Sequence, residues 1–177
     1  NENWELVDGK NNTIETFKNR EGKLILERKY NDGLPHDTYH VYDEYGNRVV
    51  TTSPEVNHST TLSTSDLKNL CYQYYYDQRN RLIAKKIPGK GLETFVYNTL
   101  DQPTLTQDAK LAQEDKWLFT KYDVFGRVLY TGLFTSTDSR DDLQTILDNE
   151  SKKYETTLSG DAITIGNTEI YYTNDTY

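Results

Sequence analysis

Three histidines, one cysteine, a row of regularly placed acids and one run of cations are the residues of this chain whose types could carry chemistry. His36 and His40 are four apart, a spacing that aligns two metal ligands only on a helix. Pro35 and the alternation around Tyr39 and Val41 predict a strand instead, so the two rings share a sheet face without forming a compact metal site. Cys71 falls inside a strand pattern and reads as a buried, inert thiol rather than a nucleophile. Gly89-Lys90-Gly91 lacks the earlier glycine, the following Ser or Thr, and the helix of a phosphate loop, and reads as a turn. No nucleophile elbow accompanies the abundant Ser and Asp residues, and no calcium-loop pattern appears. No cofactor is expected.

Two features admit a binding role. Arg79, Arg81, Lys85, Lys86 and Lys90 follow one another with no acid between Asp77 and Glu93. They are either a solvated strand face that guards against edge pairing or a patch for an anionic partner such as a polysaccharide. Tyr72, Tyr74 and Tyr76 line one face of a strand, with Tyr75 on the other. Such rings either form cross-strand ladders or, if exposed, stack on sugars. The candidate ligand-binding set is therefore Arg79, Arg81, Lys85, Lys86, Tyr74 and Tyr76.

The acids belong to a repeated phrase. It reads Tyr42-Asp43-Glu44-Tyr45-Gly46-Asn47, then Tyr76-Asp77-Gln78-Arg79-Asn80-Arg81-Leu82. It returns as Tyr97-Asn98-Thr99-Leu100-Asp101-Gln102-Pro103 and as Tyr122-Asp123-Val124-Phe125-Gly126-Arg127-Val128. A worn copy, Lys18-Asn19-Arg20-Glu21-Gly22-Lys23-Leu24, precedes them. The starts at 18, 42, 76, 97 and 122 are separated by 24, 34, 21 and 25 residues. Self-similarity at such a period marks a repeat architecture. The fifth position is always Gly, Asn or Asp, the types that enter left-handed backbone most easily. The Asp or Asn at the second position can bond forward to backbone N–H groups. Each copy is thus predicted to be a hairpin corner with a bulge, and Asp43, Gly46, Asp77, Asn80, Asp101, Asp123 and Gly126 are assigned to the turns rather than to catalysis or calcium binding.

Stepping outward from the corners gives a mainly β chain: an antiparallel β-hairpin meander forming a curved or spiralling sheet. Strands are expected at Trp4–Val7, Thr13–Lys18, Lys23–Tyr30, Thr38–Tyr42, Arg48–Thr52, Cys71–Tyr76, Arg81–Ile87, Glu93–Tyr97, Thr104–Asp108, Trp117–Tyr122 and Arg127–Phe134. Asn31-Asp32-Gly33 adds a turn. Two helical insertions are expected. One starts at Ser63-Thr64-Ser65-Asp66; the other is capped by Asp138 or Ser139 and turns Leu143, Ile146 and Leu147 inward. Residues 15–135 hold the clear repeats, and 136–177 hold the second helix and two short strands, Ile163–Ile165 and Glu169–Thr173.

Composition agrees. Fifteen Tyr stand against five Phe, hydrophobic content is 34%, and mean hydropathy is −0.86. That suits sheets with a wet face rather than a thick multilayer core. The net charge of −8 speaks against general binding of nucleic acid or an anionic membrane. No apolar run is long enough for a membrane-spanning helix, and no signal peptide is visible. The chain, without Met and beginning at Asn1, reads as one segment of a longer protein.

The Tyr-Asp-x-x-Gly-Arg-Leu/Val spacing, with the stretches from Tyr72 to Gly91 and Trp117 to Arg127, resembles the YD repeat of the Rhs family. That family includes polymorphic bacterial toxins, insecticidal toxin complexes and the teneurins; the likeness here is to Rhs-repeat proteins of Bacteroidetes-type bacteria. The pattern departs at Lys18, Arg48 and Pro103. The resemblance implies a non-enzymatic structural scaffold on a bacterial cell surface or secreted. Its walls would wind into a shell enclosing a toxin or effector domain, with the remaining repeats and C-terminal domain of the parent protein as partners. It implies surface adhesion or glycan binding as the alternative, and an enzyme only remotely.

Overall fold

The structure, a computed structural model, describes residues 13–56, 61–155, 163–165 and 168–170. The chain is mainly β, and ten strands follow one another in sheet order as an antiparallel meander. It divides into two compact units, Asn1–Tyr75 with Lys86–Lys90, and Tyr76–Lys85 with Gly91–Tyr177. The expected strand at Trp4–Val7 lies outside the described residues.

The first unit carries β1 (Ile14–Lys18), β2 (Leu24–Asn31), β3 (Leu34–Tyr42), β4 (Arg48–Thr52), helix α1 (Thr64–Leu70) and most of β5 (Cys71–Tyr76). β2 and β3 meet through Asp32 and Gly33, with φ of 49° and 74°, which makes Asn31 face Leu34 across a two-residue loop. Positive φ at both central residues matches the right-handed twist of the strands. β3 consequently starts at Leu34 rather than at Thr38, and Pro35, which cannot donate, sits at the hairpin end opposite Tyr30. Arg28 and Asp37 face each other and pair through two bonds of 2.7 and 2.8 Å. Ser63 caps α1 by accepting from the Asp66 amide.

The second unit carries most of β6 (Leu82–Ile87), then β7 (Gly91–Tyr97), β8 (Pro103–Gln107), α2 (Ala109–Gln113), β9 (Lys116–Tyr122), β10 (Val128–Thr135), α3 (Arg140–Asp148), and the pair β11 (Ile163–Ile165) and β12 (Thr168–Ile170). The sequence predicts two helices, and α2 is a third. Asp108 is its cap, accepting from the amides of Lys110 and Leu111, and not the last residue of a strand. Five residues are too few for an apolar period to show.

The core lies in this unit. Alternation turns Trp117 and Phe119 of β9 inward, where they meet Val96, Leu105, Phe134 and Ile165. Leu143 and Leu147, four apart on α3, close over them. α3 is also bonded to the sheet. The buried Gln144 accepts from the Tyr97 amide at 3.0 Å and donates to the Tyr97 carbonyl at 2.8 Å, while Arg140 Nε donates to the Phe95 carbonyl at 2.9 Å. One amide side chain thereby satisfies both backbone groups of a strand residue, as a neighbouring strand would.

Gln144→Ala is accordingly expected to lower stability by about 1–3 kcal/mol, because it orphans a backbone donor and acceptor at once. A thermal midpoint that does not move would refute this role for the amide.

Candidate functional site

The feature built with most care is the row of corners. At the fifth position Gly22, Gly46, Asn80, Asp101 and Gly126 have φ of 81°, 86°, 59°, 59° and 77°. Each corner uses the same backbone pair: the second residue donates to the sixth, and the fifth donates back to the second, at 2.9–3.1 Å throughout. Each also uses the same side chain. The Oδ1 of Asn19, Asp43, Asp77, Asn98 and Asp123 accepts two amides, from the fourth and the sixth residues, at 2.8–3.0 Å. The left-handed residue folds the corner so that these amides converge on one oxygen. A strand bulge accompanies the corner residue at Lys18, Tyr42 and Tyr97, and again after Val128.

The second carboxylate oxygen clamps the sixth side chain where that side chain can donate. Asn47 reaches Asp43 at 3.1 Å, and the Nε of Arg81 and of Arg127 reach Asp77 and Asp123 at 2.7 Å. At the fourth corner the polarity is reversed, with Asn98 Nδ2 donating to Gln102 at 2.8 Å.

Corners are also joined to one another, which the sequence reading does not anticipate. The leading Tyr is the last residue of its strand at Tyr42, Tyr97 and Tyr122, and its hydroxyl donates to the carbonyl of the seventh residue of the preceding corner: Tyr42 to Leu24 at 2.9 Å, Tyr97 to Leu82 at 2.8 Å, Tyr122 to Pro103 at 2.7 Å. The sixth residue leans over the next corner in the same way. Lys23 covers Gly46, where an added Cβ would collide with its ammonium, and Gln102 lies beside Gly126. Arg81 donates to Asp101 at 2.9 Å while its guanidinium stacks on Tyr97, 4.9 Å from the ring centre. The signal was present in the sequence as the recurring Tyr and a polar sixth residue, but its register was not.

The candidate ligand-binding residues are placed as follows. Arg79 and Arg81 both pair with Asp101, and Arg81 also with Asp77. Lys85 pairs with Glu93 at 3.2 Å and stands over the Phe95 ring. These three belong to the second unit, whereas Lys86 and Lys90 belong to the first. Tyr74 lies under the Arg48 guanidinium, Tyr76 is half-buried, and Tyr72 and Tyr75 are exposed.

His40 bonds Thr51, and its burial lowers its pKa; His36 is exposed and His58 lies outside the described residues. Cys71 is fully buried, which pushes its thiol up. A small cleft in the second unit is lined by Thr104, Tyr122, Lys121, Glu150 and Glu155 among others. There the buried Lys121 meets Glu150 at 3.5 Å, burial raises the Glu150 carboxyl, and Glu155 pairs with Lys152. Among the described residues no three His, Cys, Asp or Glu side chains are grouped to hold a metal, and no helix is long and apolar enough to cross a membrane.

No family model matches the chain, and no curated protein matches it.

The corner carboxylates give a pH signature. Desolvation pushes Asp43, Asp77 and Asp123 upward, but the converging amides, together with the Asn47 side chain at Asp43 and the Arg81 and Arg127 guanidiniums at Asp77 and Asp123, outweigh it and hold all three below the ordinary value of 3.8. A depressed folded-state pKa contributes stability above the unfolded value and loses it as pH falls through the folded one. Stability should therefore decline from about pH 4 downward. Asn occupies the same position at Asn19 and Asn98, so the triple variant Asp43→Asn, Asp77→Asn, Asp123→Asn keeps the acceptor and removes the titration. Its urea midpoint should fall less than that of the parent on acidification; parallel curves would refute the assignment.

Proposed function

We propose that this chain is a structural scaffold, a segment of a repeat wall of the kind its Tyr-Asp corners resemble. The observation that carries this reading is the set of rungs that join the first corner to the second, and the third, fourth and fifth in turn. The polar groups that look reactive in the sequence are spent on holding each corner and bonding it to its neighbour. Asp43, Asp77 and Asp123 accept backbone amides, the hydroxyls of Tyr42, Tyr97 and Tyr122 reach backbone carbonyls, and Arg79 and Arg81 meet Asp101. A wall built this way has a protein-independent task, to persist and to separate two spaces. In the family resembled, that task is to enclose a toxin or effector domain, at the surface of a bacterium or after secretion. We extend that role to this chain as part of the proposal.

The alternative, a glycan-binding or adhesive module using Tyr74, Tyr76 and the cations, draws less support. Arg79, Arg81 and Lys85 already have carboxylate partners, and a polyanion would have to displace Asp101 and Glu93 to reach them.

Tyr97→Phe and Tyr122→Phe remove only a hydroxyl, and each should cost about 0.5–1.5 kcal/mol in urea unfolding. An array of anionic and neutral glycans should remain silent. A glycan signal abolished by Lys85→Ala with Lys86→Ala, alongside unaltered stability of the two Phe variants, would replace the scaffold reading with the binding one.

A further inference from the structure

The corner at Asp123–Gly126 has everything needed to carry a further rung. Corners three and five are built alike. In the third, Asp77 accepts from Arg81 Nε at 2.7 Å; in the fifth, Asp123 accepts from Arg127 Nε at the same distance. In the third, the outer guanidinium nitrogen of Arg81 continues to Asp101 of the next hairpin, and the seventh-residue carbonyl, on Leu82, accepts the Tyr97 hydroxyl. The corresponding groups of the fifth corner are the outer nitrogens of Arg127 and the carbonyl of Val128, and no such bond reaches either among the described residues. The burial differs accordingly: the Arg81 side chain is 11% exposed and that of Arg127 is 73% exposed. Around it Val124, Phe125 and Val128 are exposed by 60%, 79% and 60%, an apolar patch on whose Phe125 ring the Arg127 guanidinium rests, 5.1 Å from the ring centre.

We infer that this end of the corner row is a docking surface for a β-hairpin of the β7–β8 kind supplied by a partner segment. Such a hairpin has Tyr ending its first strand, Asn or Asp next, and Asp at the left-handed fifth position. The Tyr hydroxyl would donate to the Val128 carbonyl, the fifth-position carboxylate would accept from Arg127, and the hairpin's flank would cover Phe125. The occupant follows from continuity with rungs already present at corners three and four and from charge complementarity at Arg127. The inference rests on the scaffold reading and adds the partner's chemistry and the receiving atoms.

The test titrates the full-length, isotope-labelled chain with a head-to-tail cyclised peptide of the sequence Gly91–Gln107. Saturable amide shifts centred on residues 124–128 are expected. Arg127→Asn keeps a clamp like that of Asn47 on Asp43 but cannot reach outward, so it should weaken binding by about tenfold or more. The peptide carrying Tyr97→Phe should bind more weakly as well. Absence of saturable shifts at about millimolar peptide, shifts centred elsewhere, or binding indifferent to Arg127→Asn would each overturn the inference. So would the same shifts on concentrating the chain alone, which would make a second copy the occupant. If the peptide fails while Tyr97→Phe and Tyr122→Phe within the chain still cost stability, the scaffold reading stands and only this docking surface falls.

Discussion

Each corner must reverse the chain within five residues at the margin of a sheet, and one left-handed residue makes that possible. With φ between 59° and 86° at the fifth position, the amides of the fourth and sixth residues turn inward to a single oxygen on the second. This constraint dictates the rest of the phrase. The second residue must be short and carry an oxygen, so it is Asp or Asn. The fifth must tolerate positive φ. Lys23 leans across Gly46 and Gln102 lies beside Gly126, while Asp101 stands where Arg81 arrives with a charge to be met. The fourth residue is under no such demand, and Tyr45, Leu100 and Phe125 project there with exposures of 74%, 51% and 79%.

The corners were legible in the sequence because everything that makes them is local. Turn type, bulge and Asx acceptor lie within one seven-residue phrase, and the helix caps at Ser63 and Ser139 are similarly local. The rungs were not legible, because they join residues 15 to 19 apart whose meeting depends on strand register, as with Tyr97 and Leu82 or Tyr122 and Pro103. The run from Arg79 to Lys90 shows the same limit in charge. Along the chain it contains no acid, yet adjoining hairpin residues bring Asp101 to Arg79 and Arg81, and Glu93 to Lys85. A cation cluster in sequence therefore need not be a cation cluster in space when neighbouring strands carry the counter-ions.

The two units reach stability by different means. The second buries Trp117, Phe119, Leu105 and Phe134 beneath Leu143 and Leu147, and lets α3 complete the hydrogen bonding of β7. Among its described residues the first has few buried side chains, Thr52, Val56 and Cys71 among them. It leans on cross-strand pairs such as Arg28 with Asp37 and Tyr30 with Glu15. Exposed pairs of this sort each add little. Arg28 and Asp37 are half-buried, bidentate and directly opposite, which places them toward the stronger end.

A high Tyr content with modest hydrophobicity follows from this construction. A ring that ends one strand and sends its hydroxyl to the previous corner does two things at once. It covers apolar surface and supplies a donor to a carbonyl at the sheet margin. Phe could do only the first, and Tyr42, Tyr97 and Tyr122, three of the fifteen Tyr, do both. The corner bonds add cohesion along the sheet's margin to what the core of the second unit supplies. Length can then grow by adding hairpins without enlarging the core. The freedom left at the third and fourth positions lets the outer edge vary in chemistry while the sheet itself stays the same.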